Sequence, residues 1–484
     1  MERPNNNLLY FCIDKINRYI FSSHSKEIIM RRIRVTLSLC ILTAFLAMLL
    51  IGCGGDKTQP QSTSKKIVIS INNGAREGED NRLEEQRQYN EAFMKRYPEA
   101  SLYFDTWQFS PETFMVRMSG GNCTDVVGVF ATEGTVVIEK GLAADITDLV
   151  KTWDKYPFVN QTVVKSITHN DRIFGLPVGG AGGCYVMTLF YNKDIFKEAG
   201  FEKAPDTWEE LVEYGKKLTD RSKGRAGFGI LGEKGGAGWH FLNWVWQAGG
   251  DFEVKKDGKW QAVFDSQEAV SALQFVKDLR WKHNILQEDV LCNNDDLFEL
   301  FASERIAMAF FTPEYLEHLK IKYKMDIDKI GIALMPAGPG GRANQMGGAF
   351  SIVNPTIPKE KQQWAFKAIT FDYELDAIEL KCRIAREQGR IVGHGVLPVF
   401  HGEYQDKVDA IIDKYRTVPS QKELMQEAAK YVHTEPPYYC QQLYSECLGP
   451  AVQTVLTKKD ADPQKILKDA AAEFQKRYLD KIGN

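Results

Sequence analysis

From Lys66 onward, short β-prone runs and segments of helical periodicity take turns along the chain, and this alternation constrains the fold more than any other feature. Residues 66–71 form a β-prone run. Residues 80–97 follow as a helix in which Tyr89, Phe93 and Tyr97 recur on one face, with Pro98 as the stop. Residues 125–130 read as a buried strand, and 132–140 as a helix ending at Gly141. Thr207 and Glu210 have the spacing of a capping box ahead of Leu211, Tyr214 and Leu218. Asp265 and Glu268 open a further helix carrying Val270, Leu273, Val276 and Leu279. Residues 305–311 and 329–335 read as strands, and 463–479 as a helix with Pro463 in its first turn. Strands alternating with helices predict an α/β architecture with largely parallel sheets. A chain of 484 residues exceeds what one hydrophobic core holds, so two lobes are expected.

The N-terminal stretch is of another kind. Arg31, Arg32 and Arg34 follow Met30, and behind them residues 35–51 are apolar and uncharged, ending in Leu50-Ile51-Gly52-Cys53. A basic segment, an apolar segment and small residues before a cut describe a secretory signal peptide. At 1.5 Å per residue the apolar run makes a helix of about 25 Å, short for a bilayer core of about 30 Å. The ending resembles the lipobox of bacterial lipoproteins, which implies that Cys53 is lipidated and begins the mature chain. Residues 1–52 are therefore read as signal peptide, with 1–29 a start-site extension ahead of Met30. Residues 53–65 are read as the lipidated Cys and a flexible polar tether. Cys440 and Cys447 are the best-placed pair for a disulfide in an extracytoplasmic compartment.

Lys+Arg number 61 and Asp+Glu 64, a formal net charge of -3. No basic excess exists to neutralise phosphates, which argues against a nucleic-acid partner. At 26% charged and 44% hydrophobic, the chain is neither disordered nor a polytopic membrane protein. There is no His-Glu-x-x-His, no Gly-x-Ser-x-Gly and no Gly-Lys-Ser/Thr loop, and the eight His lack ligand spacing. No catalytic residue, metal or cofactor is expected. The Gly-rich stretch 179–183 reads as an inter-lobe segment rather than a nucleotide cradle.

Aromatic residues concentrate at Trp239-His240-Phe241-Leu242-Asn243-Trp244-Val245-Trp246. On a helix, Trp239, Asn243 and Trp246 share a face. A flat indole stacks on the apolar face of a sugar ring while amides and carboxylates bond its hydroxyls. Trp239 is assigned to a ligand, and Trp244 to the core.

Ordered motifs then carry a resemblance. They are Phe93-Met-Lys-Arg-Tyr-Pro98, Thr124-Asp125-Val126-Val127, Gly141-Leu142 with Asp145-Ile-Thr-Asp-Leu149, and Phe174-Gly-Leu-Pro177. Phe190-Tyr-Asn-Lys-Asp194, Pro205-Asp-Thr-Trp-Glu-Glu-Leu211, Ala248-Gly-Gly250, Ile306-Ala-Met308, Pro336-Ala-Gly-Pro-Gly-Gly341 and Gly347-Gly348-Ala349 continue them. In this order the chain resembles the family 1 extracellular solute-binding proteins, the maltose-binding-like sugar receptors of ABC importers. The resemblance implies a two-lobe periplasmic-binding-protein-like fold of type II, its lobes joined by crossover hinge segments near 179–184 and 345–349. It implies a first lobe of 66–183 plus 348–400 and a second of 184–347 plus 401–484. It implies ligand contacts at Asn72, Asn73, Phe130, Thr132, Glu133, Trp239, Asn243, Phe311, Glu314, Gly348 and Tyr438, with Tyr444 an alternative to Tyr438. Trp107 falls at a position that is either cleft edge or core. Thr312-Pro313-Glu314 replaces the family's Gly-x-Trp, so one aromatic platform is missing.

The implied function is a membrane-tethered, monomeric receptor that captures a mono- or oligosaccharide and hands it to ABC permease subunits. Two other readings remain open: a sensory receptor for a membrane kinase, and a lipid-anchored glycoside hydrolase using Glu133 and Glu314.

Overall fold

Ile67–Ile71 opens a five-stranded sheet in the computed structural model, which describes residues 66–179 and 184–482. Ala100–Phe104 and Val126–Phe130 flank it, both parallel. Ala349–Val353 then runs antiparallel beside Val126–Phe130, and Gly175–Pro177 antiparallel beside Ala349–Val353. The helix Asp80–Arg96 lies on this sheet through the face read from the sequence. Tyr89 and Phe93 are buried and meet Phe371 at ring-centre distances of 5.1 and 5.3 Å.

The second sheet is built on Thr188–Asn192, with Met308–Phe311 and Ile330–Ala333 on either side, both antiparallel. Largely parallel sheets were expected, and here the expectation fails. Strands from distant parts of the chain can join in either direction, and both partners of Thr188–Asn192 join antiparallel. Leu189 and Phe190 are adjacent and fully buried, yet they enter separate apolar clusters on opposite faces of this sheet. One cluster holds Trp208, Trp244, Leu443 and Phe474, and the other Phe298, Phe301 and Leu316.

A third sheet carries the chain between the lobes. Asn344–Gly347 lies antiparallel to Tyr185–Val186 and parallel to Val432–Thr434. Two crossings were expected, at 179–184 and 345–349. The expected lobe bounds also put a third at 400/401, and residues 180–183 of the first lie outside the described residues. The third crossing lies later in the chain than 400/401. Gly402–Tyr415, expected in the second lobe, packs against Leu375–Glu387, and its Tyr404 and Val408 join Phe93, Val127 and Phe400 in the first core. The chain passes to the second lobe only at Val432–Thr434.

The local signals mark helices that the structure contains, with caps and bounds displaced by a residue or two. Thr207 accepts the N–H of Glu210 at 3.2 Å, but the Glu210 carboxylate takes the N–H of Asp206 instead of closing the box on Thr207. Ser266, not Asp265, caps Gln267–Trp281. The stretch read as one helix over 132–140 is a 3₁₀ turn, Ala131–Glu133, followed by the helix Gly134–Glu139. Cys440 and Cys447 are separate, buried, free thiols. They are seven residues apart along helical backbone, roughly 10 Å of rise, beyond the Cα separation a disulfide spans. No helix among the described residues is long and apolar enough to cross a membrane. The signal segment and Cys53 lie outside the described residues.

Candidate functional site

The three crossings bring together side chains that are far apart in sequence. Tyr185 lies on the first, Gln345 on the second, and Glu435 directly follows the third. The helix Lys234–Gln247, capped by the Glu233 carboxylate, runs past them. Its Trp239 and Asn243, one turn apart, face the same way, as the helical period predicted. Trp239 Nε1 donates to Glu435 Oε1 at 2.9 Å, and Gln345 Nε2 donates to the same oxygen at 3.0 Å. Asn243 holds Gln345 twice: Nδ2 donates to its Oε1 at 3.1 Å and Oδ1 accepts its backbone N–H at 2.9 Å. Tyr185 meets Trp239 edge-on, 5.9 Å between ring centres.

The helix can approach this closely because Gly238 has no side chain. A Cβ there would lie 2.3 Å from the carbonyl oxygen of Tyr444. The Tyr444 hydroxyl is buried and has no hydrogen-bond partner among the described residues.

From the first lobe, the turn Ala131–Glu133 is pinned to the second crossing by the Ala131 N–H, which donates to the Gly348 carbonyl at 2.9 Å. Gly348 itself has φ +155°, a conformation that L side chains rarely adopt. The turn packs against Cys440–Gln442 of the second lobe. Thr132 and Glu133 are buried, and Thr132 Oγ1 and Glu133 Oε1 have no hydrogen-bond partner among the described residues. Tyr438 donates its hydroxyl to Glu139 and so joins the lobes beside them. Glu314 stands at the N-terminus of Tyr315–Ile321 with Oε2 buried and unpartnered.

Burial raises the pKa of all three carboxyls. For Glu133 the charge of Glu112 adds to it. Glu314 is raised by burial against its own hydrogen bonds. Glu435 is pushed up to about 7 by loss of solvent, despite the bonds from Trp239 and Gln345, and the charge of Glu133 adds to the rise.

The other expected residues divide into edge, scaffold and core. Phe130 is exposed at the rim, edge-on to Phe109 at 5.2 Å. Trp107 is buried with an unpartnered Nε1, and the Arg117 guanidinium lies 4.9 Å over its ring. Asn72 and Asn73 hold backbone: Asn72 Oδ1 accepts the Gly128 N–H at 2.7 Å, and Asn73 Oδ1 that of Phe109 at 3.2 Å. Asn243 is fully buried and supports Gln345 rather than facing open space. Phe311, expected at the ligand, is fully buried between Phe190, Phe298 and Phe301; its strand has both faces covered, so nothing in it turns to the interface. Trp244 is core, against Trp208 at 5.5 Å.

Sequence reasoning missed Tyr185, Gln345 and Glu435. The polar pair Asn344-Gln345 just ahead of Gly347-Gly348 was the available signal. Among the described residues no group of three or more His, Cys, Asp or Glu is placed to hold a metal ion. A cavity of about 520 Å³ lies elsewhere, inside the first lobe, between Leu375–Glu387, Gly402–Tyr415 and the segment 390–402; none of the expected residues lines it.

Comparison with known proteins adds four findings. The profile of the family described as bacterial extracellular solute-binding protein matches residues 86–371. The chain is 24% identical over 289 residues to a binding protein of Brucella abortus (strain 2308), covering 59% of this chain and 67% of that one. It is 24% identical over 335 residues to the arabinooligosaccharide-binding protein of Bacillus subtilis (strain 168), covering 66% and 72%. In three dimensions it matches an ABC transporter solute-binding protein from Thermotoga lettingae, solved with alpha-D-tagatose, at a TM-score of 0.67 and 22% identity over 85% and 99% of the two chains. That last likeness is one of fold.

Proposed function

The chain belongs to the bacterial extracellular solute-binding proteins, and from that premise we propose that it captures a carbohydrate between its lobes and delivers it to the permease of an ABC importer. The observation that carries this reading is the lobe interface itself. An indole and a phenol, Trp239 and Tyr185, stand beside buried polar atoms contributed by both lobes, and several of those atoms lack partners. A sugar offers flat apolar faces to the rings and hydroxyls to the unmatched acceptors. Because the first lobe supplies Thr132 and Glu133 and the second supplies Trp239 and Glu314, a ligand touching both favours the closed arrangement by its differential contacts.

The same reading tethers the protein outside the cell membrane through lipidated Cys53, as a monomer that meets its permease when closed. Two acyl chains at about 0.8 kcal/mol per buried CH₂ hold it there.

A thermal-shift screen against mono- and oligosaccharides tests the proposal. A cognate sugar at 100 times its Kd adds about 2.7 kcal/mol of stability and raises the melting temperature. If no saccharide moves the melting temperature, carbohydrate capture is wrong. Radiolabelled palmitate incorporation, lost in Cys53→Ala, tests the anchor.

A further inference from the structure

Of the enclosed carboxylates elsewhere in this molecule, Asp125 and Glu374 are paired with cations, while Glu253, 6% exposed, accepts the Tyr438 N–H and has an Oε1 unpartnered among the described residues. Asp125 takes Lys361 at 2.8 Å, and Glu374 takes both Lys155 and Arg96 at 2.9 Å. The lobe interface is set apart by gathering three carboxylates that lack a cation. Glu133, Glu314 and Glu435 have no ion-pair partner among the described residues, and the two bonds to Glu435 come from neutral side chains. Their charges also act on one another's surroundings. Glu133 acts on Glu435, while Glu435 and Glu314 both act on Tyr185. Arg117, the cation over Trp107, pairs with Asp105 at 3.8 Å.

Glu133 is the informative member. It is 8% exposed, its Oε1 meets no donor, and its charge reaches Glu435 and Cys440 on the opposite side, so it faces across the interface. Thr132, 7% exposed and next to Glu133, adds a hydroxyl with no hydrogen-bond partner among the described residues.

A buried carboxylate without a cation is costly, and several near one another more so. Hydroxyl groups of a neutral sugar satisfy the lone pairs but supply no positive charge to hold the carboxylates ionised. An ammonium group satisfies both, since it carries three N–H donors and a full positive charge. Trp239 and Tyr185 beside the carboxylates add ring faces that attract a cation. An anionic sugar, a uronate or a phosphate, would meet only repulsion. A metal ion in place of the amine lacks the converging ligand set.

We infer that the carbohydrate taken up at this interface carries a protonated amine, as an amino sugar or a short oligomer of one, with Glu133 and Glu314 as its counter-charges. The inference rests on the carbohydrate reading above and narrows it.

Calorimetric titration of the full chain at pH 7 tests it. The ligands are glucosamine, galactosamine and their short oligomers, each set against the hydroxyl and N-acetyl counterpart of the same length. The amine form of the preferred sugar should bind about tenfold tighter than both counterparts. Glu133→Gln and Glu314→Gln, each first checked for a cooperative melt, should weaken amine binding more than neutral binding and bring the ratio below about threefold. Should either counterpart bind as tightly as the amine form, the inference falls while carbohydrate capture stands. Should the ratio stay unchanged in both folded variants, the assigned counter-charges are wrong. If no saccharide of any kind binds, the inference and the reading beneath it fall together.

Discussion

Two hollows of this molecule offer a ligand opposite things. The cavity of about 520 Å³ in the first lobe is roomy, and its walls include Ile378, Ile391, Val396, Phe400, Ile412 and Met425. Its walls are first-lobe segments, and only at its edge do Arg390 and Ile391 reach Glu317 of the second lobe. The interface between the lobes is narrow and polar, and both lobes build it. Volume and apolarity make a hollow hospitable; unmatched polar atoms from two bodies make it responsive. Only the second property serves a receptor that must signal its loading by closing.

The sharpest way to break this contrast is to damage the roomy hollow and watch the narrow one. Phe400 is 1% exposed and packs against Tyr373 at 5.6 Å and Tyr404 at 4.8 Å. Phe400→Ala should cost about 4 kcal/mol of stability in a denaturant titration. Ligand affinity of the folded protein should stay the same. A large loss of affinity would show that the cavity, not the interface, takes the ligand.

Next in size is a pH effect confined to the interface. Glu435 has its carboxyl raised from 4.5 to about 7. The folded state therefore binds more protons than the unfolded state between those values. Its stability is full below about pH 4.5 and is lost as pH rises through about 7. Glu435→Gln should remove that loss and gain up to about 3 kcal/mol at pH 9, with little gain at pH 4. Melting curves from pH 4 to 9 check it, and parallel curves for the two proteins would refute the assignment.

Trp239→Ala comes third. It removes the ring face and the N–H to Glu435 together, and should weaken sugar binding by about 2 kcal/mol, near thirtyfold. The side chain is only partly buried, so the melting temperature should fall far less than in Phe400→Ala. Calorimetry beside a melt separates the two; unchanged affinity would make Trp239 a packing residue.

These variants also mark what the sequence could and could not disclose. Trp239 and Asn243 were legible because one helix carries both, and the 3.6-residue period places them on one face. The alternation of elements, the aromatic core of the second lobe and the order of family motifs were legible for similar local reasons. Glu435, Gln345 and Tyr185 were not. They meet because three short crossing strands lie side by side, and strands such as Tyr185–Val186 and Val432–Thr434 are too short to show a period. Asn344-Gln345-Met346-Gly347 has the composition of a loop, and only its tertiary pairing makes it a strand. Phe311 misled for the opposite reason. Met308–Phe311 is buried on both faces, so no alternation distinguishes a cleft-facing residue from a core one.

The smallest effect lies at the rim, and it tests whether charge there acts as charge does in the interior. Arg390, on the first-lobe segment, reaches Glu85 of the helix Asp80–Arg96 at 2.7 Å and Glu317 of the second-lobe helix Tyr315–Ile321 at 3.2 Å. The Ile391 N–H donates to the other oxygen of Glu317 at 3.0 Å. The three side chains are 36%, 24% and 35% exposed, so water screens them, and such pairs contribute less than about 1 kcal/mol. Arg390→Met keeps the aliphatic stem and deletes the bridge. If the bridge favours the closed form, the variant should release ligand about threefold faster while binding it at nearly the same rate, because closure mostly sets residence. Added salt should do the same to the wild type and do little further to the variant, since it screens a pair the variant no longer has. Stopped-flow dissociation at low and high salt reads both. Equal release rates in the two proteins at every salt would mean that the rim pair is indifferent to closure, and that the unpaired carboxylates of the interface carry the whole electrostatic response.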